Sequence, residues 1–187
     1  MGEDKALMPF LDGTLVERVI SRVSDIADEI LVITNRPDAY RFLGLPLHED
    51  FIPDRGALGG LYTALRAASG TEVGLAACDL PFVSPELMLY MRDLLVESGA
   101  DAVLPSTEGG LEPLQAVYRR ETCLPAVRAA LDDGVWKMIA WHERANVRVL
   151  TPEETRSIAP HPRTFWNLNT PEEFSRAEQK ARHLHLP

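Results

Sequence analysis

Residues 72–98 read EVGLAACDLPFVSPELMLYMRDLLVES, and this stretch decides the fold class. Its first seven residues are mostly apolar, as expected of a short strand buried inside a protein. Ser84 is a favoured helix N-cap and Pro85 suits the first helical position, so we predict that a helix begins there. Asp79 would then lie just past the carboxyl end of a strand.

The same alternation of strand and helix continues on both sides of this stretch. Apolar spacing predicts an amphipathic helix over 13–27, with Thr14 as its N-cap and Glu17 completing a capping box. A final helix is expected to begin after Thr170. The remaining predicted helices are 60–69 and 121–134, and the remaining predicted strands are 28–35, 100–106, the start of 111–120, 146–151 and 163–169.

Strands that alternate with helices predict an α/β fold. We expect a Rossmann-like, doubly wound and mostly parallel sheet with helices on both faces. The 187 residues fit one domain, 1–187, with its ligand site beyond the carboxyl ends of the strands. Asn35, Asp79 and the pair Asn167 and Asn169 all stand at predicted strand ends or on the last predicted strand. If residues 163–169 form a strand, both asparagine side chains share one face.

Composition excludes several classes of function. The chain has 28 acidic against 19 basic residues, a net charge of −9, so non-specific nucleic-acid binding is disfavoured. No apolar run is long enough to cross a membrane and no signal-peptide pattern opens the chain. Cys78 and Cys123 are far apart in sequence and suggest neither zinc nor a redox pair. These features predict a cytoplasmic protein that works without a membrane or a nucleic acid.

The segment FLDGT, residues 10–14, resembles half of the nucleophile loop of haloacid-dehalogenase phosphatases. The attacking aspartate of that loop would have to stand at position 10, which is Phe10 and can neither attack phosphorus nor bind a metal. We therefore interpret Asp12 and Gly13 as a turn, and Thr14 as the cap of the following helix.

Six segments taken in order resemble the molybdenum cofactor guanylyltransferases, a branch of the nucleotidyltransferases, over nearly the whole chain. The signature of that family ends in R-M-G-x-D-K, and Met1, Gly2, Asp4 and Lys5 match its tail. The six segments are MGEDKALMPF (1–10), ITNRPD (33–38), PDRGALGGLYTAL (53–65), AACDLPFVSPELM (76–88), EPLQAVYRR (112–120) and FWNLNTPEEF (165–174).

The resemblance implies transfer of GMP from GTP to the terminal phosphate of molybdopterin, with Mg²⁺ as cofactor and diphosphate as leaving group. It assigns Lys5 and Asp79 to catalysis, and makes both of them contacts to the nucleotide together with Asn35 and Asp54. Asp79 is also the implied metal ligand. Asn167, Asn169 and Lys137 are implied on the side of the acceptor. Molybdoenzyme chaperones or other proteins of cofactor biosynthesis are implied as partners.

Several of these residues also have a structural interpretation that involves no ligand. Lys5 fits a solvated surface charge, Asp79 fits a loop cap, and Asn169 fits a helix cap. Gly56, Gly59 and Gly60 fit either close approach to a ligand or a tight turn before a helix. The corresponding alternative functions are a cytidylyltransferase or another nucleotidyltransferase, and a non-catalytic protein that binds or delivers the cofactor.

The printed sequence departs from the family at its beginning, since the L-A-G-G loop and the strand before it would precede Met1. A parallel sheet that lacks a central strand leaves ladder groups unpaired, at a cost of about 1–3 kcal/mol each. We therefore expect the natural protein to begin about one strand and one loop earlier. Without them, the same argument predicts weak GTP binding.

Overall fold

The computed structural model describes residues 4–168 and 170–183, and the fold is α/β, as predicted. The helices are α1 (Leu15–Val23), α2 (Pro37–Tyr40), α3 (Gly56–Ala67), α4 (Pro85–Ser98), α5 (Arg120–Asp132), α6 (Pro152–Ile158) and α7 (Pro171–His183). The strands are β1 (Pro9–Phe10), β2 (Gly13–Thr14), β3 (Val32–Ile33), β4 (Leu47–His48), β5 (Glu72–Ala76), β6 (Ala102–Thr107), β7 (Gly110–Leu111), β8 (Gln115–Arg119) and β9 (Val147–Leu150). None of the helices in these two ranges combines the length and the apolar character that a membrane span requires.

The main sheet has five strands and is mixed, whereas the sequence led us to expect a mostly parallel one. β8 lies between β5 and β6 and runs antiparallel to both. β6 also pairs with β9 in parallel and with β7 in a hairpin. The difference arises because residues 110–119 return as a hairpin, and this connection needs no crossover helix.

Helices cover both faces of this sheet. Side chains alternate along a strand, so Ala102 and Leu104 of β6 join a cluster with α3 and α5, while Val103 joins another with α4 and the end of α6. All three side chains are fully buried. The doubly covered sheet is therefore as predicted, and its core lies on both sides of β6 and β8.

β3 and β4 form a separate parallel pair, with Val32 opposite Leu47 and Ile33 opposite His48. Within the described residues, this pair belongs to a different sheet from β5, although α3 contacts both β3 and β5. The strand that we expect before Met1 stays a prediction.

The helix-start signals are confirmed. Thr14 caps α1 with the predicted capping box to Glu17, and Ser84 Oγ accepts a hydrogen bond from Leu87 N at 3.2 Å. Thr170 Oγ1 likewise accepts from Glu173 N at 3.2 Å at the start of α7. Sequence patterns therefore located these helices through the residues that satisfy their first N–H groups.

The strand predicted over residues 163–169 is wrong for the described part of that range. Residues 162–165 form turns, in which Thr164 N donates to His161 O and Trp166 N donates to Arg163 O. These local bonds use the amides that a strand would direct to a neighbour. The prediction that Asn167 and Asn169 share a strand face therefore fails, and Asn169 lies outside the described residues.

Within FLDGT the turn consists of Leu11 and Asp12, so Asp12 lies in a turn as predicted, whereas Gly13, which we also assigned to the turn, begins β2. Phe10 is buried against Phe82 and Phe174, so position 10 serves the core. Leu11 has a positive φ of 56°, and its amide donates to Glu178 Oε1 of α7 at 2.7 Å. The hydrogen bond from Leu11 thus connects the β1–β2 hairpin to α7.

Gly59 and Gly60 form a matched pair of neighbours on α3. A Cβ at Gly59 would lie 2.8 Å from Arg55 Cβ and 3.3 Å from Ile52 O, whereas a Cβ at Gly60 would meet nothing within 4 Å. Gly59 is therefore required by the close approach of the preceding loop, and Gly60 is not.

We predict that Gly59→Ala lowers the free energy of unfolding by about 1–3 kcal/mol, because the added methyl group overpacks the loop. Gly60→Ala should raise it by up to about 1 kcal/mol through helix propensity. Urea denaturation of both variants measures the difference. Equal effects of the two substitutions would contradict this account of Gly59.

Candidate active site

The carboxyl end of β5 positions Asp79. Ala77 N donates to Leu114 O at 2.9 Å, which extends the contact between this chain segment and the hairpin beyond the strand. Leu80 N then donates to Ala77 O at 3.2 Å, so the chain turns directly at Asp79. The backbone oxygen of Asp79 accepts from Leu168 N at 3.1 Å. Asp79 is therefore fixed between the end of a buried strand and the segment that carries Asn167.

The Asp79 carboxylate is partly buried, and this burial raises its pKa above the ordinary value. A hydrogen bond from its own backbone amide, the charge of Lys5 and a hydrogen bond from the Asn167 side chain act in the opposite direction. Its Oδ1 atom is buried and has no hydrogen-bond partner among the described residues. A carboxylate oxygen left in this state is available to a ligand or a cation.

A cavity of about 210 Å³ opens beside Asp79 and Asn167. Glu112 and Met138 form part of its wall, and most of the remaining wall is apolar. Small-molecule pockets typically enclose about 300–1,000 Å³, so this cavity suits one part of a larger ligand. The cavity therefore brings a carboxylate and an amide to the edge of a small apolar recess.

Lys5 lies in a short helical turn, Lys5–Leu7, that Asp4 caps by accepting from Ala6 N at 3.3 Å. Asp4 is itself held by Tyr40, whose hydroxyl donates to Asp4 Oδ2 at 3.0 Å, and by an ion pair with Arg36 at 3.4 Å. Burial and the hydrogen bond to Asp4 raise the pKa of Tyr40. The turn that carries Lys5 is thus tied to α2, and the Lys5 charge acts on Asp79.

Asn35 stands past the end of β3, as predicted, and pairs reciprocally with Asp50. Its Nδ2 donates to Asp50 Oδ2 at 2.8 Å, and its Oδ1 accepts from Asp50 N at 2.9 Å. Phe51 N then donates to Thr63 Oγ1 at 3.0 Å, which ties this segment to α3. Asn35 therefore holds the beginning of the loop that leads to Asp54.

Asp54 is exposed and adopts a left-handed φ of 58°, which is uncommon for a residue with a Cβ. The next residue, Arg55, places its guanidinium 4.9 Å from the centre of the Trp136 ring. Lys137 follows Trp136 and is exposed, and Met138 then lines the cavity beside Asp79. The loops that carry Asp54 and Lys137 therefore meet.

The structure brings Lys5, Asp79 and Asn167 together. It places Lys137 one residue from the cavity wall and Asp54 on the neighbouring loop, while Asn35 acts on that loop through Asp50. Their contacts with a nucleotide or an acceptor stay predictions.

Two residues near the site escaped the sequence interpretation. Tyr40 reaches Asp4 from a helix that we had not predicted. Glu112 lines the cavity, burial raises its pKa, and its carboxylate accepts from Thr107 Oγ1 at 3.0 Å. The only sequence signal for Glu112 was its place at the start of the segment LEPLQAVY, where a strand pattern carries no information about a cavity.

The residues around Asp79 fit a magnesium ion. In the described ranges, no three His, Cys, Asp or Glu side chains are close enough to form a complete protein cage for a metal. Mg²⁺ needs no such cage, since it is commonly held by one or two carboxylates together with substrate phosphates and water. The unpartnered Oδ1 of Asp79 supplies the carboxylate that this arrangement requires.

Comparison with known proteins finds relatives of similar sequence. The chain is 32% identical over 178 residues to the molybdenum cofactor guanylyltransferase of Desulfosudis oleivorans, covering 95% of this chain and 87% of the relative. It is 30% identical over 176 residues to the probable molybdenum cofactor guanylyltransferase of Carboxydothermus hydrogenoformans, covering 94% and 87%.

Solved structures show the same fold. The molybdopterin-guanine dinucleotide biosynthesis protein A of Archaeoglobus fulgidus superposes with a TM-score of 0.82 at 25% identity, over 97% of this chain and 92% of that one. The 2-C-methyl-D-erythritol 4-phosphate cytidylyltransferase of Thermus thermophilus has a TM-score of 0.66 at 20% identity, over 95% and 94%, and bears on the fold alone. The sequence model of the MobA-like NTP transferase domain matches residues 1–147. The chain therefore belongs to the MobA-like NTP transferase family and has the nucleotidyltransferase fold.

Proposed function

We propose that this nucleotidyltransferase transfers GMP from GTP to the terminal phosphate of molybdopterin and releases diphosphate. The observation that carries the proposal is the partly buried Asp79 carboxylate, with Lys5 and Asn167 beside it, at the mouth of a small cavity. The names of the relatives support guanine as the base and molybdopterin as the acceptor.

The reaction is a displacement at the α-phosphorus of GTP. An oxygen of the acceptor phosphate forms the new bond to phosphorus, and the bond from the α-phosphorus to the diphosphate oxygen breaks. A phosphate monoester is already anionic near neutral pH, so the attacking oxygen needs no general base. The work left to the protein is to position the two phosphates and to offset their charge.

Lys5 offsets the charge that gathers on the α- and β-phosphates. Asp79 would hold Mg²⁺, and the bound ion would supply positive charge that offsets the charge of the phosphates. Such a cation is needed in a chain with a net charge of −9 that must accept a triphosphate. Tyr40 acts as a positioning residue, because it fixes Asp4 and with it the turn that carries Lys5.

Asn35 and Asp54 serve the nucleotide, Asn35 by shaping the loop that contains Asp54 and by reaching the ligand from the end of β3. Asn167 and Lys137 serve the acceptor on the cavity side, together with Asn169. The enzyme works in the cytoplasm, and molybdoenzyme chaperones or other proteins of cofactor biosynthesis receive its product.

The direct assay follows diphosphate release by the natural full-length chain with GTP, molybdopterin and Mg²⁺. We expect release that needs all three components, and little release when CTP replaces GTP. Diphosphate release with CTP, molybdopterin and Mg²⁺, but not with GTP in place of CTP, would instead identify a cytidylyltransferase. Binding of molybdopterin without binding of GTP would identify a delivery protein and contradict the proposal.

Asp79→Ala should lower kcat by at least about a hundredfold, because it removes a metal ligand whose cation stabilises charge in the transition state. The thermal unfolding midpoint should change little, since the Asp79 side chain is not part of the core clusters. Asp12→Ala is the matched control, an exposed aspartate in the turn between β1 and β2. Near-normal turnover of Asp79→Ala would reject the assignment.

Tyr40→Phe should raise KM for GTP about two- to tenfold, the value of one ordinary hydrogen bond, because the bond to Asp4 orients Lys5 only indirectly. Its kcat should change less, because the hydroxyl touches neither substrate. Tyr90→Phe serves as the control, since Tyr90 is exposed on α4. Steady-state kinetics at saturating acceptor measure both, and an unchanged KM for GTP would exclude the positioning role.

A further inference from the structure

A second cavity, of about 350 Å³, lies between α1, the beginning of α4 and the segment that follows α6. Polar and charged side chains form much of its wall: Arg18, Arg22, Ser84, Glu86, His161 and Thr164. It shares no lining residue with the cavity beside Asp79. This cavity is therefore distinct from the one that the proposed reaction uses.

Arg18 is the unusual member of this wall. Its Nε and Nη2 atoms are buried and have no hydrogen-bond partner among the described residues. The N–H groups of Nε and Nη2 point along the same edge of the planar guanidinium, and together they form the fork that receives two oxygens of one oxyanion. Buried polar groups are nearly always satisfied, so this fork is left for a ligand, an ion or ordered water in the cavity.

Several other arginines are satisfied by the protein itself, whereas Arg55 Nε and Arg163 Nη1 are single buried atoms that also lack a partner among the described residues. Arg92 pairs with Asp93 at 2.6 Å and Arg128 pairs with Asp132 at 2.9 Å, both on the surface. Arg119 and Arg120 donate instead to backbone carbonyls. The fork of Arg18 is therefore not explained by a general shortage of acceptors in an acidic chain.

The charge around Arg18 is also unbalanced. Burial lowers the pKa of Arg18, and the positive charge of the nearby Arg22 lowers it further. The carboxylate among these polar residues belongs to Glu86, which already accepts from Ser84 Oγ at 2.8 Å. Arg22 directs its Nε to Val83 O at 3.1 Å. Two guanidinium groups against one engaged carboxylate leave a net positive cavity in a protein of net charge −9.

His161 adds a neutral donor to this wall. Its Nδ1 accepts from Arg163 N at 3.3 Å, so the neutral ring carries its proton on Nε2. Burial and the neighbouring arginines lower the pKa of His161, which favours that neutral form. An anion in the cavity would meet a donor from the segment after α6 as well as those from α1.

We propose that this cavity binds a phosphate-type oxyanion, with two of its oxygens on the Nε and Nη2 fork of Arg18. Donors from α1 and from the segment after α6 suit a tetrahedral anion better than a planar carboxylate. Free phosphate and diphosphate share this chemistry. Phe82 and Thr164 line the cavity and belong to the two segments that also carry Asp79 and Asn167, so a bound anion contacts both segments.

Isothermal titration of the purified chain with orthophosphate, diphosphate and acetate, in buffer free of phosphate and sulfate, tests the proposal. We expect one saturable orthophosphate site that acetate fills at least about tenfold more weakly. Arg18→Gln should weaken orthophosphate at least about tenfold, because it removes the charged fork. Arg18→Lys, which keeps the charge without the fork, should fall between Arg18→Gln and the unchanged chain. Whichever of orthophosphate and diphosphate binds more tightly is identified as the source of the anion.

Two further variants locate the site. Lys5→Ala should leave orthophosphate binding unchanged, because Lys5 acts on Asp79 and does not line this cavity, and Arg92→Gln should also leave it unchanged. No saturable binding by the unchanged chain, or equal binding by a folded Arg18→Gln chain, would overturn the proposal and leave the cavity to water. Loss of binding in Lys5→Ala would also overturn it. None of these measurements depends on turnover, so failure here is distinct from failure of the proposed guanylyl transfer.

Discussion

A carboxylate held partly out of water is the constraint on which the proposed site depends. Burial disfavours the charged form of Asp79 and raises its pKa. The Lys5 charge and the Asn167 amide lower the pKa, but they do not offset the whole effect of burial. A charge placed in this way is costly without a partner. In the proposed function, a divalent cation and its phosphate ligands would satisfy the Oδ1 atom of Asp79 that has no partner among the described residues.

The fold supplies this geometry through segments that are distant in sequence. The buried β5 brings Asp79 to the edge of the sheet, and the bond from Leu168 N to Asp79 O anchors the segment with Asn167. Behind the same two segments lies the Arg18 cavity. The segments joined by this bond therefore position the carboxylate and also contribute residues to the walls of both recesses. The recess beside Asp79 includes two acidic side chains, and the other includes two arginines.

The sequence predicted well those features that depend on neighbouring residues. Capping residues located the starts of α1, α4 and α7, and an apolar run ending in Asp79 located the central carboxylate. Apolar alternation failed at residues 163–168, because local turn bonds to His161 and Arg163 replace a ladder there. The apolar pattern also could not predict whether β8 runs parallel or antiparallel to its neighbours, because a strand after a hairpin and a strand after a crossover can have the same pattern. Tyr40 and the Arg18 fork were invisible because their roles depend on contacts with distant segments.

The position of the metal is the central claim, and a crystal structure of the natural full-length chain with a non-hydrolysable GTP analogue and Mn²⁺ tests it most directly. Mn²⁺ shares the oxygen preference of Mg²⁺ and can be located by its anomalous scattering. The account predicts an anomalous peak about 2.1 Å from a carboxylate oxygen of Asp79, bridged to the phosphates of the analogue. A metal that bridges the phosphates without contacting Asp79, or that binds at other carboxylates, would contradict it.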